Sequence, residues 1–215
     1  MKKRWKIIVA AIFIMGLAGL NVLAYAHAYA LTHFTVAGPL PDKPEVLRGM
    51  QKLKVLLTGV NIPRPISGKS PSDLAADCEA LTINGQDGIR LALWYCNRGE
   101  TTPLAVLFHG YAAEKTALLA EAKAILELGG SVLLVDFRGS GGSSESYTTI
   151  GVREADDVAA AVRYAKENTT HSRIVLYGQS MGTAAVLRSI KYCDVRPDAI
   201  IIEAVFDTML NTIRN

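Results

Sequence analysis

One serine stands between two glycines at two-residue spacing in residues 175–185, VLYGQSMGTAA. The apolar residues before Gly178 read as a strand and those after Gly182 as a helix, so Ser180 falls on the turn between them. A strand that passes directly into a helix needs a sharp backbone turn. Side chains at 178 and 182 would collide with neighbouring backbone, which glycine avoids. The turn pushes the Ser180 hydroxyl outward and sets a helix N-terminus behind it, where developing negative charge is stabilised. That is the equipment of a nucleophile for acyl transfer. The plainer reading makes Ser180 an N-cap.

His109-Gly110-Tyr111 follows a second apolar run, LAVLF, at 104–108. A small residue there lets backbone approach the nucleophile. The amides of Tyr111 and Met181 are then the two convergent donors that a tetrahedral oxyanion needs. His109 reads as a residue that holds this loop through hydrogen bonds; the competing reading makes it the base. The loop at 136–143, DFRGSGGS, is rich in glycine. It lacks the lysine of a P-loop and the spacing of a dinucleotide fingerprint, so it reads as architecture tied down by Asp136 and Arg138. Asp157 is expected to bond a neighbouring loop and Asp156 to face water. No Cys or His spacing resembles a zinc site, and nothing implies a metal or an organic cofactor.

These residues need elements to hold them. From Pro103 on, strands and helices alternate. Strands are expected at 104–108, 131–137, 173–177 and 199–206, and helices at 115–128, 151–166 and 181–190. Val152, Ala155, Val158, Ala159 and Val162 share one face of the middle helix. Strands without polar alternation, joined by helices, mean a mostly parallel sheet buried on both faces. Ligands bind such sheets beyond the C-terminal strand ends, where the unusual residues lie. Before this core, residues 78–84 and 89–97 read as a hairpin around the turn signal Gly85-Gln86-Asp87-Gly88. Cys78 and Cys96 come roughly opposite each other if the turn centres near Asp87. In an oxidising compartment they can pair; two separate buried thiols fit equally well, and Cys193 is left over.

The chain of 215 residues is 50% hydrophobic and 20% charged, with a net charge of +3. Lys2, Lys3, Arg4 and Lys6 carry four of the 23 basic residues, and without them the charge is close to zero. No basic stripe remains for nucleic acid. The cluster instead precedes an uncharged apolar run at 8–31, long enough for a transmembrane helix. The basic side stays cytoplasmic, which places the domain on the outer face as a single-pass membrane protein. Tyr25 and Tyr29 suit the far interface. The rival is a signal peptide cleaved after Ala-x-Ala, giving a secreted domain. The expected organisation is a basic terminus at 1–7, the span at 8–31, a linker with an amphipathic segment at 32–75, and the catalytic-type domain at 76–215. The segment at 47–57 is a short amphipathic helix, lying on the domain or near the membrane.

Together the HGY turn, the DFRGSGGS loop, the READDVAAAVRY helix and the GQSMG elbow resemble the α/β-hydrolase superfamily from about residue 81 to 206. They look most like its serine aminopeptidase-like or BEM46-like members. The resemblance implies an α/β-hydrolase fold, incomplete at the C-terminus, preceded by one transmembrane helix. It implies a serine hydrolase of ester, thioester or amide bonds in small molecules or peptides. Its chain order is nucleophile, acid, histidine. No histidine follows Ser180; the four are His27, His33, His109 and His171. His171 is expected at the opposite end of the sheet. Glu203 and Asp207 are the acids near a strand end, and neither replaces an imidazole. The expectation is therefore a truncated piece of a hydrolase, inactive or nearly so alone, with an apolar strand left at its edge. The alternative is a catalytically inactive, membrane-anchored binding module. Oligomeric state stays open.

Overall fold

The computed structural model describes residues 2–36, 38, 41–42 and 45–205. The chain divides into two compact units, Met1–Pro63 and Arg64–Asn215.

The first unit contains helix α1, Lys2–Thr32, and helix α2, Gly49–Thr58. Helix α1 is long and apolar enough to cross a membrane, and an N-terminal signal sequence can also be long and apolar enough. The two helices meet where His27 Nε2 lies 2.9 Å from the Leu56 carbonyl oxygen. Beyond α2 the chain returns to form a parallel bridge between Thr35 and Pro63.

Among the described residues, the second unit holds a six-stranded sheet. Its strands are β1 (Glu79–Asn84), β2 (Arg90–Cys96), β3 (Leu104–Phe108), β4 (Ser131–Val135), β5 (Ile174–Gln179) and β6 (Ala199–Glu203). They lie in the order β1-β2-β4-β3-β5-β6. β1, β2 and β4 pair antiparallel, while β4, β3, β5 and β6 run parallel. The mostly parallel sheet with an antiparallel hairpin edge follows the expectation. Helix α3 (Leu119–Glu127) continues from a 3₁₀ turn at Lys115–Leu118; α4 is Glu154–Asn168 and α5 Met181–Tyr192.

β3 and β4 are buried at every residue, which is why they show no polar alternation. Val106, Phe108, Leu133 and Val135 pack with Val158, Ala161 and Val186 of α4 and α5. Leu107, Val132 and Leu134 pack on the other face with Leu118 and Ala122. β6 is different: every residue is exposed, with Ile200, Ile201 and Ile202 between 39% and 49% accessible.

Several boundaries move. The helix expected from 115 starts as a 3₁₀ turn, because the Glu114 carboxylate accepts the Thr116 amide and Lys115 is tied to Asp136. The helix expected from 151 begins at Glu154. Gly151 has φ 92°, outside helical geometry, and its amide donates to the Glu154 carboxylate at 2.8 Å. Val152 therefore precedes the helix and is 49% exposed rather than on the buried face. The strand expected to 137 stops at Val135, since the Phe137 amide turns to His109 Nε2 at 3.1 Å. β6 ends at Glu203; Phe206, Asp207 and the tail to Asn215 lie outside the described residues. The two readings of Cys78 and Cys96 resolve in favour of a disulfide. A 3₁₀ turn at Gln86–Gly88, with Asp87 at φ 55°, keeps Asn84 opposite Arg90 and brings the cysteines into register.

Candidate active site

Ser180 occupies the position before α5, with φ 52° and ψ −111°. An N-cap residue has extended backbone and a side chain that accepts an amide of the first turn. Ser180 has neither: its backbone is in the positive-φ region and its hydroxyl caps nothing. A non-glycine residue held there is strained, and such strain collects at functional sites. Its amide donates to the Glu203 carbonyl at 2.9 Å, so the end of β6 fixes the turn.

The glycines are there for space. A Cβ on Gly182 would stand 2.2 Å from the Phe108 carbonyl oxygen, and one on Gly178 would stand 2.7 Å from the Thr183 amide nitrogen. The first turn of α5 thus lies directly on the ends of β3 and β5. Thr183 Oγ1 donates to the Gly178 carbonyl at 2.6 Å and sits 3.0 Å from that of Glu203.

Gly110 brings the second loop to the serine. A Cβ built on it would fall 3.6 Å from Ser180 Cβ and 3.6 Å from the Gln179 carbonyl oxygen. Tyr111 follows on the same turn and packs, half-buried, against the α4–α5 side of the core; burial raises its phenol pKa. Met181 is buried and opens α5, where amides of the first turn have no partner within the helix.

His109 is fully buried. Its Nε2 accepts the Phe137 amide, so the proton rests on Nδ1, which donates to the Gly110 carbonyl at 2.8 Å. Burial holds its pKa below the usual imidazole value. Both nitrogens are committed to the loop. His171 lies at the other end of the sheet, with Nδ1 2.9 Å from the Thr102 carbonyl and Nε2 2.8 Å from the Tyr95 hydroxyl. His27 and His33 belong to the first unit.

The 136–143 loop is closed on itself. The Asp136 carboxylate accepts the Lys115 amide at 2.8 Å, the Lys115 ammonium at 2.5 Å and the Gly142 amide at 2.9 Å. Arg138 and Asp157, both buried, pair through Nε and Nη2, and Asp157 also accepts the Arg138 amide at 3.1 Å. Burial works against the Arg138 charge, and the Asp157 carboxylate overrides it. Asp156 is half-buried beside Cys193 Sγ, at 3.6 Å.

Three groups escape a sequence reading. The Arg64 guanidinium, from the segment read as linker, donates to the carbonyls of Ser143 and Glu145. Glu154 is fully buried and accepts from Thr148, Thr149 and Gly151. The Tyr177 hydroxyl donates to the Glu203 carboxylate, and its pKa is raised by burial and by that carboxylate. The last pair had a signal: a tyrosine in an otherwise apolar strand, and an acid ending AIIIE.

The family model of serine aminopeptidase, S33, matches residues 99–206, which hold Ser180, its flanking glycines, the 109–111 turn and the 136–143 loop. Uncharacterized protein Rv2307c of Mycobacterium tuberculosis is 26% identical over 183 residues, covering 83% of this chain and 54% of that protein. Uncharacterized protein YqkD of Bacillus subtilis is 29% identical over 129 residues, covering 59% of this chain and 42% of that protein. Among solved structures, the Pyrococcus furiosus esterase Pf2001 aligns with a TM-score of 0.56 at 29% identity, over 63% of this chain and 54% of the esterase. The chain spans about half the length of the curated relatives it matches.

Proposed function

Because the chain belongs to the serine aminopeptidase S33 family of α/β-hydrolases, we propose that it is a serine hydrolase working through an acyl-enzyme on Ser180. Its substrates are esters, thioesters or amides of small molecules or peptides. The observation that carries this is the Ser180 backbone: φ 52° with a hydroxyl that caps nothing. Ser180 Oγ attacks the acyl carbon and gives its proton to a base. The amides of Tyr111 and Met181 take the oxyanion. Collapse expels the alcohol, thiol or amine with that proton, and water then releases the acid. The similarity to the Pf2001 esterase supports an ester as the first substrate to try.

Neither His109 nor His171 serves as that base. His109 is buried with both nitrogens engaged, and His171 is bonded at the far end of the sheet. The same observation favours a second reading, a catalytically inactive binding module. We place the protein at the cell membrane, anchored by α1 with the basic terminus cytoplasmic and the second unit on the outer face. Lys2, Lys3, Arg4 and Lys6 support this orientation, and the Cys78–Cys96 bond supports an oxidising compartment. Secretion after signal cleavage is the alternative, which the size of the mature protein decides.

The test is chemical rescue. The full chain in detergent is incubated with a p-nitrophenyl ester, with and without free imidazole, and its mass is measured. We expect slow turnover alone, and acylation of Ser180 that rises with imidazole and is absent in Ser180→Ala. Folded protein that never acylates supports the inactive module. Rapid Ser180-dependent turnover without imidazole overturns the exclusion of His109 and His171.

A further inference from the structure

Helix α2 carries an apolar stripe with a lysine on each side. At ~100° per residue, Met50, Leu53, Leu56 and Leu57 fall on one side of Gly49–Thr58, Lys52 and Lys54 border them, and Gln51 and Thr58 lie opposite. The stripe is open: Met50 is 80% exposed, Leu53 48%, Leu56 61% and Leu57 55%. Val55, away from the stripe, is the half-buried residue of the helix.

Two contacts fix the height of the C-terminal end of α2 along α1. His27 Nε2 meets the Leu56 carbonyl at 2.9 Å. Gly59, just past the helix, lies so near α1 that a Cβ on it would meet Ala30 Cβ at 2.9 Å and His27 Cα at 3.1 Å. His27 stands roughly 32 Å above Lys6 at a rise of ~1.5 Å per residue, and a bilayer core is ~30 Å thick. With Lys6 at the inner boundary, His27, Tyr25 and Tyr29 reach the outer one. The end of α2 is therefore held at the level where lipid tails give way to headgroups. An apolar stripe flanked by lysines matches that layer: leucines enter the acyl boundary while ammonium groups reach lipid phosphates.

We infer that α2 is a second membrane contact, an interfacial helix whose Met50–Leu53–Leu57 stripe enters the outer leaflet and whose Lys52 and Lys54 bind anionic headgroups. It rests on the reading of α1 as a retained anchor. With α1 alone the chain would hold the bilayer at one point. With α2 seated it holds the outer leaflet at a second.

The test uses the full chain with Met50→Cys in a Cys193→Ser background, labelled at the introduced thiol with an environment-sensitive nitrobenzoxadiazole. It is reconstituted into phosphatidylcholine vesicles with and without phosphatidylglycerol and floated on a density gradient. The expected result is co-flotation, blue-shifted emission, and quenching by shallow lipid nitroxides about two-fold stronger than by deep ones, as for a helix at the headgroup boundary. Lys52→Glu with Lys54→Glu reduces that quenching in the anionic vesicles. Water-like emission from floated protein overturns the inference and leaves the anchor standing. Blue-shifted emission that no lipid nitroxide quenches means that protein covers the stripe, and also overturns it. Protein that stays at the bottom of the gradient overturns the anchor and the inference together.

Discussion

The Ser180 amide donates to the Glu203 carbonyl at 2.9 Å, and the Thr183 hydroxyl reaches the same oxygen at 3.0 Å. The Glu203 carbonyl at the end of β6 therefore holds the serine side of the turn, while the Thr183 hydroxyl beside it donates at 2.6 Å to the Gly178 carbonyl and closes the other side. A residue at φ 52° and ψ −111° relaxes unless its surroundings over-determine it, and this carbonyl does part of that.

Ser180→Gly follows directly. Glycine adopts this backbone without the clash of a Cβ. Relief of about 1–3 kcal/mol of strain, less about 0.5–1 kcal/mol for the added freedom of the unfolded chain, leaves a net gain of about 1 kcal/mol. The melting temperature should rise by about 2–4 °C over Ser180→Ala, read by calorimetry on the full chain in detergent. Equal midpoints for the two variants would show that the elbow stores no strain.

The elbow was legible because its requirements are steric and local: glycine at 178 and 182, apolar residues before, helix formers after. The sheet was legible because β3 and β4, buried on both faces, carry no polar residue beyond Ser131 at the start of β4. The ties between distant segments were not. Arg64 reaches the loop around Ser143, and Tyr177 finds Glu203, only once the sheet order sets their neighbours. The pairing of Cys78 and Cys96 hung on one turn: a two-residue loop and the observed 3₁₀ turn give different registers, and composition does not choose between them.

That disulfide joins cysteines 18 residues apart. Closing a loop of this size in the unfolded chain is worth about 3 kcal/mol. Cys78→Ala with Cys96→Ala should lower the melting temperature by about 6–12 °C, and dithiothreitol should do the same to the native chain. A reduced protein that melts with the oxidised one would show that the bond adds nothing to stability.

His109 gives the second unit a pH dependence of known sign. Burial lowers its pKa in the folded state, whereas the unfolded imidazole titrates near ~6.5. Well above that value neither state holds the proton and the stability is full. As pH falls through ~6.5 the unfolded chain takes up a proton that the folded one refuses, and stability drops by up to about 1.4 kcal/mol per pH unit. The loss ends once pH passes the folded pKa. Urea unfolding across this range should show the slope in the native chain and a shallower one in His109→Gln and His109→Asn, whose amides can still accept from Phe137. Unchanged slopes in both would mean that other groups set the pH response.

Glu154 connects a buried charge to the first turn of α5. Its carboxylate accepts from Thr148 Oγ1 at 2.7 Å, Thr149 Oγ1 at 2.7 Å, and the amides of Thr149 and Gly151, both at 2.8 Å. Thr148 Oγ1 lies 3.4 Å from Met181 Sδ. A Cβ on Gly151 would stand 3.3 Å from the Met181 carbonyl, so this loop lies against the residue after the serine. Glu154→Gln replaces an acceptor with an NH₂ that faces donors. Losing bonds to a charged acceptor and stranding a buried donor costs about 3 kcal/mol. The loop should loosen under α5, and imidazole-dependent acylation of Ser180 should fall further than that of Glu154→Asp, which keeps the charge. Acylation by Glu154→Gln at the native rate, with a melting temperature shifted by less than about 1 °C, would show that α5 holds the elbow without this carboxylate.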